Sequence, residues 1–89
     1  MTPPSHSESA AIRAFITRHF YVVDPAALGD DTSLMEEGIV DSTGMLDLIL
    51  FIEREFGLTV DDSEMVPQNL DSIGRIAAFV ARRKGAGTP

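Results

Sequence analysis

Ile12, Phe15, Ile16, His19 and Phe20 fall at i, i+3, i+4, i+7 and i+8, and apolar residues keep helical rather than alternating spacing along the chain. That periodicity restricts the fold to helix packed on helix. It predicts a first helix from about Ser9 to Tyr21 and a second from Ser42 to Phe56, stopped by Gly57 as the C′ residue. Asp61-Asp62-Ser63-Glu64-Met65-Val66 reads as one short helical turn, acid-capped at its start and ended by Pro67. The last helix starts near Asp71 or Ser72 with Asp71 as N-cap, presents Ile73, Ile76, Ala77 and Val80 on one face, and closes on Arg82-Arg83-Lys84. The expected fold is all-α: a small four-helix bundle of three main helices plus one short helix. A long loop separates helices 1 and 2, with Leu34 and Ile39 as its apolar anchors.

Eighty-nine residues hold one domain with a modest core. The Pro- and Ser-rich segment 1–7 and the segment 85–89 are predicted to be disordered tails around a domain spanning 8–84. The balance of 7 basic to 14 acidic residues gives a formal charge of -7, and thirteen of the acids lie between Asp24 and Asp71 with Arg54 as their single base. Such a middle repels nucleic acid phosphates and anionic lipid and attracts basic protein partners, so neither nucleic acid nor membrane is expected as a ligand. There is no cysteine, no apolar run of membrane-spanning length and no secretory pattern at residues 1–7. A cytoplasmic monomer is the expectation.

Asp41-Ser42 follows the turn Glu37-Gly38-Ile39-Val40 and opens the most hydrophobic helical stretch of the chain. A serine hydroxyl at a helix start can take a phosphate ester, whose negative charge sits at the positive end of the helix dipole beside free N–H groups. The ordinary reading of the same dipeptide is an N-cap pair. Along the second helix, Leu46, Ile49, Ile52 and Phe56 form the expected inward stripe, with Leu48 at its edge. Thr43, Asp47, Leu50, Phe51 and Arg54 are left towards solvent or partly so. Leu50 and Phe51 are either anchors for a partner or packing under the long loop.

The run Leu34-Met35-Glu36-Glu37-Gly38-Ile39-Val40-Asp41-Ser42-Thr43 resembles the modification site of acyl and peptidyl (aminoacyl) carrier proteins. The resemblance continues through Glu53-Arg54-Glu55-Phe56-Gly57-Leu58-Thr59-Val60 and covers about Ile12 to Lys84. It implies a four-helix bundle, with Ser42 esterified by 4′-phosphopantetheine from coenzyme A and Asp41 as the acidic neighbour used by the transferase. It further implies a non-catalytic chain that holds an acyl or aminoacyl group as a thioester. The partners would be a phosphopantetheinyl transferase, an adenylating ligase and a downstream transferase or condensing enzyme, with Thr43, Met45, Asp47, Leu50 and Phe51 as candidate partner contacts. Thr43-Gly44 stands where many members have leucine directly after the serine. That form is more similar to stand-alone, ligase-loaded carriers of specialised metabolism than to the fatty-acid synthase carrier. Gly44 would leave no side chain beside the arm.

Two other classes compete. One is an unmodified acidic helical interaction module that uses the second helix as its ligand face. The other is a small acidic Ca²⁺-responsive protein, but Asp30-Asp31 and Asp61-Asp62-Ser63-Glu64 lack EF-hand spacing, so no metal ligand is assigned. His19 reads as a core or boundary histidine of the first helix. No nucleophile-elbow pattern surrounds Ser42, which argues against a hydrolase.

Overall fold

A computed structural model describes residues 4–86, which form four α-helices and two 3-10 turns, with no strand among the described residues. Helix α1 spans Pro4–His19, α2 Ser42–Phe56, α3 Pro67–Leu70 and α4 Ile73–Ala86; the 3-10 turns are Pro25–Ala27 and Asp62–Glu64. The all-α bundle of three main helices and one short one therefore stands. Both helical ends extend into segments expected as tails: α1 begins at Pro4 and α4 runs to Ala86. Residues 1–3 and 87–89, also in those tails, lie outside the described residues.

The core is a single cluster. Ile12 and Ile16 of α1, Leu48, Ile49 and Ile52 of α2, Leu70 of α3, and Ile73, Ile76, Ala77, Phe79 and Val80 of α4 are all buried. The long loop contributes Leu28, Leu34 and Val40 to the same cluster. A loop with three residues in the core has a fixed path, which accounts for its length in a domain this small.

The short helix lies elsewhere than expected. Asp62–Glu64 makes its own 3-10 turn, with Glu64 Oε1 accepting the Asp61 amide at 2.9 Å. Pro67 then opens α3 instead of closing the turn before it, since a proline at the first helical position surrenders an N–H that has no partner there anyway. The N-cap of α4 also differs from expectation. Ser72 Oγ accepts the Arg75 amide at 3.1 Å, and Asp71 faces the long loop. The cationic end of α4 is partly spent on tertiary contacts: Arg83 bonds the Thr59 carbonyl at 2.9 Å and pairs with Glu64, and Arg82 bonds Asn69 at 3.0 Å.

Candidate functional site

The path into α2 is set residue by residue. Gly38 adopts φ 72°, a left-handed turn that glycine takes without strain. The chain then doubles back so that the amides of Ile39 and Val40 both donate to the Leu34 carbonyl, at 2.9 and 3.1 Å. Leu34 and Val40 are buried, so the two residues before Ser42 leave from a fixed point in the core.

Asp41 is the N-cap of α2. Its backbone is extended, and its Oδ1 accepts the Gly44 amide at 2.7 Å. Ser42 is the first helical residue, exposed, and its hydroxyl makes no hydrogen bond to any described residue. The N-cap role of the dipeptide thus falls to Asp41 alone: its carboxylate caps and the Ser42 hydroxyl is left free. Asp41 is itself exposed, which leaves its second oxygen open to a visitor. A phosphate ester on Ser42 would meet the N-terminus of a 15-residue helix, and no folded part of the chain would have to move. These residues fit a phosphodiester-linked group.

Several sequence expectations change at this helix. Leu46 is not inward: it is 61% exposed, and the buried stripe runs through Leu48, Ile49 and Ile52, with Met45 and Phe56 partly buried beside it. Leu46 and Leu50 lie four and eight residues after Ser42 and so share its face. That spacing is the signal that would have found Leu46. Thr43, Asp47 and Leu50 are exposed as expected. Phe51 is half buried in the seam between α1 and α2, stacked on Phe15, and does not lie under the long loop. Gly44 is buried: a Cβ there would lie 2.7 Å from Phe20 Cε1, so the missing side chain makes room for an aromatic ring and leaves no gap at the surface.

His19 is exposed, a departure from the core or boundary position expected of it. It stacks on Phe15 at 4.9 Å between centroids, and its Nε2 lies 3.0 Å from Asp47 Oδ2. Asp47 is therefore already engaged by α1. Around this pair, Phe15, Phe51, Leu50, Arg18 and Arg54 line an open groove of about 780 Å³ between the two helices. No group of three or more histidine and carboxylate side chains is placed to hold a metal ion among the described residues, and no described helix is long and apolar enough to cross a membrane.

The model of the family described as the phosphopantetheine attachment site matches residues 11–80, from the first helix through the last. The chain belongs to this family. Among curated relatives it is similar to the acyl carrier protein of Thermotoga maritima, with 27% identity over 63 residues that cover 71% of this chain and 75% of that protein. It is also similar to the D-alanyl carrier protein of Abiotrophia defectiva, with 30% identity over 56 residues covering 63% of this chain and 71% of that one. Membership makes it a carrier protein, and the prosthetic group of the family is covalently attached 4′-phosphopantetheine. In this carrier protein the matched region contains the whole of the loop and of α2 described above.

Proposed function

We propose that the chain is a discrete carrier that bears its arm on Ser42 and presents an acyl or aminoacyl thioester to successive enzymes. The observation that supports this most directly is the free, exposed Ser42 hydroxyl at the start of α2 beside a carboxylate that has already taken the capping position. The bound group would supply a terminal thiol for the cargo. The chain itself supplies a fixed attachment point, a helix N-terminus for the phosphate charge, and no internal cysteine to intercept the thioester.

The likeness to a D-alanyl carrier supports an aminoacyl cargo loaded by an adenylating ligase. The Thr43-Gly44 sequence points the same way, to a specialised pathway with a downstream transferase or condensing enzyme. Partners would meet Thr43, Leu46, Asp47 and Leu50, which lie on or beside the face of α2 that carries Ser42, with Met45 and Phe51 reachable only at their edges.

The test is an intact mass after incubation with coenzyme A and a promiscuous phosphopantetheinyl transferase. Wild type should gain one phosphopantetheine and Ser42→Ala none. If several transferases add nothing to wild type, the acidic interaction module becomes the better reading.

A further inference from the structure

Asp71 sits at the joint between α3 and α4, far along the chain from Ser42, yet three consecutive loop residues converge on it. Its Oδ2 accepts the Ser33 hydroxyl at 2.6 Å, its Oδ1 accepts the Met35 amide at 3.0 Å, and its carbonyl accepts the Leu34 amide at 2.7 Å. Bonds to an ionised acceptor are the stronger kind. Asp71 is itself held, because its amide donates to Pro67 O at 3.0 Å and its neighbours Leu70, Ser72 and Ile73 are buried. Ser72 caps α4, which leaves the Asp71 carboxylate wholly for the loop.

The consequence passes forward through one atom. Leu34, pinned by Asp71, offers the carbonyl that receives both Ile39 and Val40, and Val40 leads directly into Asp41-Ser42. We infer that Asp71 is a positioning residue for the modification of Ser42: by fixing residues 33–35 it fixes the turn that holds the serine out for the transferase. This inference rests on Ser42 being the attachment point. The upstream half of the loop has separate ties. Arg13 bonds the Leu28 carbonyl and Asp30, and the Gly74 amide donates to the Asp30 carbonyl at 2.9 Å. Loss of the Asp71 carboxylate removes the ties on Ser33 and Met35, on either side of Leu34, and so loosens the stretch next to Ser42, while the backbone bond from Leu34 to residue 71 and the remainder of the loop stay attached.

The test uses the full chain as Asp71→Ala, Asp71→Asn and Ser33→Ala, with amide exchange and transferase kinetics measured on each. In Asp71→Ala, exchange at Ile39 and Val40 should rise about ten- to a hundredfold, with a much smaller change at Ile49 and Ile52 of α2. Its kcat/KM as a transferase substrate should fall about tenfold, chiefly through KM, since the enzyme must select a less populated loop. The end-point mass should still show complete modification. Asp71→Asn keeps an acceptor oxygen and should recover most of the rate. Ser33→Ala, which leaves Asp71 in place, should show the same pattern more weakly and serves if Asp71→Ala does not fold. Unchanged kinetics in Asp71→Ala, or exchange that rises equally across α2, would overturn the inference while the carrier reading survives. A wild type that accepts no arm would sink both.

Discussion

Phe51 of α2 lies parallel to Phe15 of α1, with ring centroids 4.1 Å apart and planes 9° from parallel. Phe56 meets Phe51 edge-on at 6.0 Å, and Phe20 meets Phe15 edge-on at 5.9 Å, so a row of four rings ties the two helices together. A fully buried Phe→Ala change costs about 3–5 kcal/mol, and an aromatic pair adds about 0.5–1.5 beyond area burial. With its ring only partly buried, Phe51→Ala should cost about 2–3 kcal/mol in a urea melt. Leu50→Ser, one position away and 54% exposed, should stay within about 0.5 kcal/mol of wild type but slow loading by the cognate ligase. Normal loading of the Leu50 variant would remove it from the docking face.

Asp41 combines a structural duty with a proposed recognition role, and substitution can divide them. Asp41→Ala removes the cap on Gly44 N and should lose about 1 kcal/mol of stability. Asp41→Asn keeps an acceptor oxygen and should hold stability within about 0.5 kcal/mol, since asparagine caps as well as aspartate. If the transferase uses the carboxylate charge, the asparagine variant will nonetheless be modified slowly. Equal rates for Asp41→Asn and wild type would confine Asp41 to capping.

Gly44→Ala sets helix propensity against packing. Alanine gains about 0.5–1 kcal/mol as a helix former, but its Cβ would sit 2.7 Å from Phe20 Cε1 and 3.2 Å from Asp41 Oδ1. Overpacking of this kind costs about 1–3 kcal/mol, so a net loss is expected. Adding Phe20→Leu should return part of it. A melting temperature that rises in the single variant would contradict this account.

Glu8 is buried on α1 with Oε1 unpartnered, and its Oε2 lies 3.5 Å from Lys84 of α4. Removing one member of an ion pair is costly where it strands the other charge out of water, but the Lys84 side chain is 52% exposed, so the change takes away only the buried carboxylate. Glu8→Met should therefore match wild type or exceed it by about 1 kcal/mol in thermal unfolding. A loss of that size would show that the Lys84 contact outweighs the desolvation of the carboxylate.

The helical frame was legible because Ile12/Ile16 and Ile73/Ile76/Val80 repeat at a period that only a helix satisfies, and the structure buries all five. Asp41-Ser42 and the glycine stop at Gly57 (φ 67°, ψ 37°) were local signals of the same kind, readable from a few adjacent residues. What escaped was decided by distant partners. Either Asp71 or Ser72 could cap α4, and the choice depended on three donors from residues 33–35 that no local rule foresees. Gly44 looked like an opening until Phe20 filled it. Leu46 keeps a three-residue spacing with Ile49 and Ile52 that reads as inward, yet the core takes Leu48 in its place.

Because the Asp41 carboxylate supplies the cap of α2, the Ser42 hydroxyl has no share in holding the fold together. Esterifying or freeing it breaks no bond on which the helix depends. With the proposed arm on Ser42, the bare and the armed chain would keep the same cap on α2. On the proposed attachment at Ser42, an enzyme that must tell the two apart would then have the arm itself to read.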